Sequence, residues 1–184
     1  MYIIKKPDIW YTADNHFHSG KKNLFYRPFE TVEEMDSTML ENIVNTVRSS
    51  DTLFFDGDVG AVMCPPIDVL KKIRCHKILI VGNNDDKYRG KVKQDFMDCF
   101  DKVWYGYRMV YDHNVDKRIM LSHFPLASWE GSRDEVPQFY GHLHSRKDDG
   151  YEQMMQIPNA YNVGVDVRDY FPKSAAQIFA EGKR

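Results

Sequence analysis

The chain has 184 residues, a formal net charge of −2 from 25 Lys plus Arg against 27 Asp plus Glu, 42% hydrophobic and 28% charged residues. Those are ordinary globular values and argue against a disordered, fibrous or membrane-embedded chain, and a near-neutral balance argues against a protein that coats a nucleic-acid backbone. The length suits one domain, residues 1–184, that buries a core without disulfide or metal staples.

The opening residues are too short in apolar length for a secretory signal, and Cys64, Cys75 and Cys99 lack disulfide-framework spacing. They read as reduced, mostly buried thiols of a cytoplasmic protein. Ile9-Trp10-Tyr11-Thr12 is a short β-prone run that stops at Ala13-Asp14. Thr31-Val32-Glu33-Glu34 is a capping box, and Val32, Met35, Met39, Ile43 and Val47 behind it recur at helical spacing, predicting a helix to about Arg48. Thr52-Leu53-Phe54-Phe55 reads as a strand ending at Asp56-Gly57-Asp58. Pro65 and Pro66 suit the opening of a helix with Ile67, Leu70 and Ile73 on one face. The run 77–81 is a buried strand ending at Gly82-Asn83-Asn84-Asp85, with a helix through Val92 and Phe96 after it. Residues 103–110, 118–121, 137–140 and 161–165 are strand-like. The first half is thus β-α-β-α-β and the second mostly antiparallel strands, an α/β fold. Residues 129–136 and 146–159 carry no readable motif.

Five polar clusters follow these strands: Asp14-Asn15-His16, Gly57-Asp58, Gly82-Asn83-Asn84-Asp85, Ser122-His123 and Gly141-His142-Leu143-His144. Ligand crevices of open α/β sheets lie outside the carboxyl ends of the strands, so the five loops are expected to meet at one site. They offer two Asp, one Asn and four His as ligands, a donor set for Mn, Fe or Zn rather than Mg or Ca alone. Seven ligands exceed the needs of one ion with an open position. With a carboxylate bridging they suit two, as in two-metal hydrolytic sites.

The ordered set D-x-H, G-D, G-N-x-D, S-H and G-H-x-H resembles the signature of the calcineurin-like metallophosphoesterases. Arg27-Pro28-Phe29, Leu121-Ser122-His123-Phe124-Pro125-Leu126 and Asn162-Val163-Gly164-Val165-Asp166 resemble a compact bacterial and phage branch of that family. The resemblance implies a four-layer α-β-β-α sandwich of two mixed sheets. It implies one metal on Asp14, His16, Asp58 and His144 and a second on Asp58, Asn83, His123 and His142, with Asp58 bridging. The implied cofactors are two divalent ions, Mn first, with Fe, Zn, Ni or Mg as the other candidates. The implied activity is attack of a metal-bridging hydroxide on a phosphate ester.

One motif departs from the family. G-N-H-D reads Gly82-Asn83-Asn84-Asp85 here, so Asn84 stands where the resemblance puts a catalytic His beside Asp85. An amide donates a hydrogen bond but releases no proton, and general acid–base catalysis is worth about 10²–10⁴-fold. The expectation is an active phosphodiesterase or an enzyme of good leaving groups; His18, Tyr88 and His113 are the candidates for a substitute acid, with partly exposed polar loop residues as the alternative reading of His18 and His113. Arg27 is the candidate phosphate grip, since a guanidinium binds phosphate in a fork; Asn84 is a second substrate contact. Lys21 and Lys22 after the first motif, and Lys87, Arg89, Lys91 and Lys93 after the third, either border the crevice or are solvated faces. Trp10, Trp104 and Trp129 read as core, and Met63 as packing. The expected partner is a phosphate-ester substrate, a nucleotide among the candidates, with no membrane and no extended nucleic acid. Rival readings are a nuclease on DNA or RNA and a metal-binding scaffold with weakened catalysis.

Overall fold

A computed structural model describes residues 7–20 and 26–184. Strands β1 (Ile9–Thr12), β2 (Thr52–Phe55), β3 (His76–Ile80) and β4 (Lys102–Trp104) form one sheet in sequence order, every pair parallel. Strands β5 (Tyr107–Asp112), β6 (Lys117–Ser122), β7 (Gln138–Tyr140) and β8 (Ala160–Asn162) form a second sheet in the same kind of order. There β5 and β6 are an antiparallel hairpin, whereas β6–β7 and β7–β8 are parallel. The first sheet is therefore wholly parallel rather than mixed, and the second half is less antiparallel than its sequence suggests.

Helices α1 (Val32–Thr46), α2 (Ile67–Leu70) and α3 (Gly90–Met97) are the crossovers of the first sheet; α4 (Asp149–Gln156) links β7 to β8, and α5 (Ala175–Glu181) follows β8. The side-chain period of two decides the layers. On β2, Leu53 and Phe55 face Met35, Met39, Ile43, Leu70 and Phe96 of the helices, while Phe54 turns inward to Tyr11, Ile119, Leu121 and Phe139. The outer face of the second sheet, with Met120 and Tyr140, packs on Met154 of α4 and on Trp129. Two four-stranded sheets thus lie face to face between helices.

Thr31 caps α1 by accepting the Glu34 N–H at 3.0 Å, but the Glu34 carboxylate reaches the N–H of Glu30 rather than that of Thr31. Residues 103–110 make two strands, because Tyr105 and Gly106 (φ 79°) intervene and carry the chain from one sheet to the other. Helices α4 and α5 lie in segments the sequence reading left without structure. Trp10, Trp104 and Trp129 belong to or pack on the core clusters as expected. Met63 does not pack: it is 92% exposed, beside the tight Ala61–Cys64 bridge. All three cysteines are free, and Cys64 is exposed rather than buried. No described helix is long and apolar enough to cross a membrane.

Candidate metal centre

Because β1, β2, β3, β6, β7 and β8 end on the same side, the loops after them converge. Asp14 and His16 follow β1, Asp58 follows β2, Asn83 follows β3, His123 follows β6, and His142 and His144 follow β7. His16 Nε2 lies 3.3 Å from His144 Nε2, and each is 4.0 Å from Asp14 Oδ1. The Asp58 carboxylate sits between two halves of the cluster, with Oδ2 3.8 Å from His16 Nε2 and Oδ1 3.5 Å from His123 Nε2. Asn83 Oδ1 is 3.1 Å from the same His123 nitrogen. His142 stands beside them, its ring centroid 5.3 Å from that of His123 and 4.6 Å from that of Phe124, an aromatic ring that is half exposed.

Ligand atoms of Asp14, His16 and His144, and separately of Asp14, Asp58 and His123, lie within 4.8 Å of one another. Asp14 therefore reaches both halves, whereas the resemblance assigned that place to Asp58 alone. Asp14 Oδ2 accepts the His142 backbone N–H at 2.7 Å, but Oδ1 is buried with no hydrogen-bond partner. A carboxylate oxygen shut away from water and donors is costly. An ion there would meet that need, so the donor set fits a divalent cation.

The backbone is strained at these positions. Asp14 (φ 56°), His16 (51°), Asp58 (54°), His142 (69°) and His144 (55°) all lie in the left-handed region that non-glycine residues avoid. Such strain clusters at functional sites, where surrounding structure holds it. Glycines make room for the ligands: a Cβ on Gly141 would stand 2.7 Å from Asp14 Oδ2, and one on Gly82 2.4 Å from Asp58 Oδ1.

Burial is the main electrostatic force in the cluster. It pushes Asp14 up to about 6 against the lowering pull of His144 and His123, and drives His16 down to about 3 with help from His144 and Arg27. Burial likewise lowers His142. Against its own burial, His144 is raised by its hydrogen bond to Asp166 and by the Asp14 charge. His123 Nδ1 hydrogen-bonds the Asp56 carbonyl at 2.8 Å and His144 Nδ1 the Asp166 carboxylate at 2.7 Å. Acceptors of that kind fix the proton on Nδ1 and leave Nε2 with its lone pair.

Three expected site residues, Arg27, His18 and Asp85, are placed differently from their sequence reading. Arg27 does not face a substrate: its side chain is 1% exposed and its guanidinium is spent on Asp166 (2.7 and 3.1 Å) and on the carbonyls of Asn15 (2.8 Å) and Asp14 (2.6 Å). His18 has its ring nitrogens on Asp36 (2.9 Å) and Asp68 (2.7 Å), so neither is turned to the ligand cluster. Asp85 is buried and accepts the backbone N–H groups of Asp58, Val59 and Gly82 at 2.8–3.0 Å; it ties two site loops together and holds no reacting group. Burial raises Asp85 to about 6. Asn84 does lie in the cluster, with its backbone N–H on Asp58 Oδ1 (2.8 Å) and its amide nitrogen 3.3 Å from His16 Nδ1.

The other proposed acids are also engaged. Tyr88 OH donates to the Ala61 carbonyl, and His113 contacts the Pro7 carbonyl from the β5–β6 turn, at the end of β6 opposite His123. Lys87 reaches Asn84 Oδ1 at 3.2 Å, while Lys91 and Lys93 pair with Asp95 and Asp86 on their own segment. Lys21 and Lys22 lie outside the described residues. Sequence reasoning gave no role to Asp166, although it stands in the quoted Asn162–Asp166 stretch. Burial notwithstanding, the His144 hydrogen bond and the Arg27 charge hold Asp166 down to about 2. No spacing rule links it to His144; only its place at the end of β8 was a sign.

No protein-family model matches the chain. A relative from Methanocaldococcus jannaschii, described as uncharacterized protein MJ1445, is 28% identical over 170 residues, which are 90% of this chain and 86% of that one. Among solved structures, the protein of unknown function AQ665 from Aquifex aeolicus superposes with a TM-score of 0.72 at 20% identity, over 95% of this chain and 98% of that one. This chain shares its fold. Phosphopantetheinyl hydrolase from Mycobacterium tuberculosis aligns over 92% of this chain and 81% of its own, at 10% identity and a TM-score of 0.36, too remote to bear on either fold or function.

Proposed function

We propose that the chain is a cytoplasmic phosphoesterase of the calcineurin-like metallophosphoesterase type, working with two divalent ions, Mn²⁺ foremost, on a phosphodiester or a phosphate ester with a good leaving group. The observation that carries this reading is the orphaned, buried Asp14 Oδ1 facing His16 and His144, next to an Asp58 carboxylate whose two oxygens address His16 and His123. Asp14, His16 and His144 would hold one ion and Asn83, His123 and His142 the other, with Asp58 between them. Bound there, two dications would offset charge on a phosphoryl group and make a water molecule more acidic.

The chain's own residues do the positioning. The Nδ1 hydrogen bonds of His123 and His144 aim Nε2 inward, and Asp85 holds the Asp58 and Gly82 backbones at one distance. Asn84 offers an amide N–H beside His16 and cannot protonate a departing alkoxide. The missing acid is worth roughly 3–5 kcal/mol of barrier, which selects against poor leaving groups.

The test is hydrolysis of bis(p-nitrophenyl) phosphate and p-nitrophenyl phosphate with added Mn²⁺, for wild type, Asp58→Asn and Asn84→His. Turnover of the diester well above the monoester, abolished in Asp58→Asn, is expected. Unchanged activity in Asp58→Asn refutes the site. A silent wild type with activity gained in Asn84→His replaces the enzyme reading by an assembled but disarmed scaffold.

A further inference from the structure

We propose that Arg27 and Asp166 form a buried clamp that sets the tautomer and position of His144, and so govern the affinity of one ion of the pair far more than that of the other. This assignment rests on the two-ion reading above.

The geometry spans three strand ends. Asp166 comes after β8, and its Oδ2 accepts from His144 Nδ1, after β7, at 2.7 Å. An ionised carboxylate can only accept, so the proton is on Nδ1 and His144 presents Nε2 to the cluster. Arg27 holds Asp166 in turn through Nε to Oδ1 and Nη2 to Oδ2, a two-point grip that also fixes the carboxylate plane. Nη2 and Nη1 also donate to the carbonyls of Asp14 and Asn15, in the loop after β1, and Nη1 reaches the Met35 sulfur as well. One side chain thus ties the loop carrying Asp14 and His16 to the carboxylate that steers His144. Asn162 adds a bond from Nδ2 to the His144 carbonyl at 3.0 Å.

The other half of the cluster has no such backing. His123 Nδ1 rests on the Asp56 backbone carbonyl, and His142 is part-exposed beside Phe124. Among the described residues, neither ring hydrogen-bonds Arg27 or Asp166. A partner that orients a metal-bound imidazole changes affinity at that imidazole's ion. The clamp therefore acts on the ion of Asp14, His16 and His144.

Two measurements test this. Long-range ¹H–¹⁵N NMR of the metal-free wild type, at mildly alkaline pH with His144 assigned from a His144→Gln spectrum, is expected to show His144 as the Nδ1–H tautomer; the Nε2–H form overturns the clamp. Titration of wild type, Asp166→Asn and Arg27→Met with Mn²⁺ alone, by calorimetry and EPR, is expected to give two ions in the wild type. In Asp166→Asn one ion weakens by about 10–100-fold while the other stays within about twofold; in Arg27→Met the same ion weakens most, and the other follows only through Asp14, whose carbonyl Arg27 holds. Equal loss at both ions, or no loss at either, overturns the assignment while leaving the two-ion reading intact. A wild type that takes up no Mn²⁺ overturns both. Should a variant fail to fold, the NMR measurement on the wild type still decides.

Discussion

Gly82→Ala adds one methyl group where the third motif passes under the second. A Cβ there would lie 2.4 Å from both the backbone nitrogen and the Oδ1 of Asp58, and 3.0 Å from the carbonyl carbon of Gly57. Ordinary contact is about 3.5 Å, so the overlap is roughly 1 Å, and backbone rather than a flexible side-chain end must yield. Overpacking of this kind costs about 1–3 kcal/mol. The shift also strains the Asn84 N–H bond to Asp58 Oδ1 and the Asp58 N–H bond to Asp85, both 2.8 Å and both to carboxylates. Losing one such charged-acceptor bond adds about 1.5–3 kcal/mol. The unfolded chain loses freedom on gaining Ala, which returns about 0.4–1 kcal/mol. The net is about 1.5–5.5 kcal/mol, or roughly 3–22 °C in Tm for a domain of this size. Calorimetry of the metal-free protein reads the first effect. A Mn²⁺ titration reads the second, a loss of at least about tenfold in affinity as the Asp58 carboxylate is displaced. Gly20→Ala, whose Cβ would meet nothing within 4 Å, is the control. A Gly82→Ala protein that melts with the control and binds Mn²⁺ as the wild type does would refute the packing argument.

His16 is held neutral by burial down to about 3, well below the 6.5 of a free imidazole. The unfolded chain therefore takes up a proton first, and the stability that neutral His16 contributes is present above about pH 6.5 and drains away as pH falls toward 3. His16→Gln should gain on the wild type by about 2–3 kcal/mol between about pH 7 and pH 4.5, measured by urea unfolding of the metal-free proteins. Asp14 and Asp85, raised to about 6, act in the opposite sense but are present in both chains and cancel in the difference. At the far end of α4, Lys183 Nζ donates to the carbonyls of Met154, Met155 and Ile157 at 2.6–2.7 Å, so Lys183→Met should cost about 1–2 kcal/mol in a urea melt without changing Mn²⁺ affinity.

The convergence of seven candidate ligands was legible because each motif stands at the end of a strand whose own residues are strongly β-prone, as in Thr52–Phe55. What a motif cannot show is the partner of a side chain far along the chain. Arg27 reads as a phosphate grip until Asp166, 139 positions later, takes its guanidinium. Asp85 reads as chemistry until three backbone N–H groups claim its oxygens. Strand direction in the second sheet was hidden for a related reason. The β7–β8 return runs through α4, whose Asp148 cap and single buried Met154 give a weak periodic signal. Helix α5 did carry a sign that was passed over, the Ser174-x-x-Gln177 capping box. Gly106 was the other overlooked mark, a left-handed glycine that divides one apparent strand into two.

Five of the seven candidate ligand positions have the backbone torsion that glycine would adopt without penalty, and each L side chain there forgoes roughly 1 kcal/mol. At these positions the substitution that relaxes the main chain is also the one that deletes a donor. Improvement of thermal endurance and retention of the proposed ion site thus pull the sequence in opposite directions. An engineer working from melting temperature alone would be led, loop by loop, toward a sturdier and empty protein.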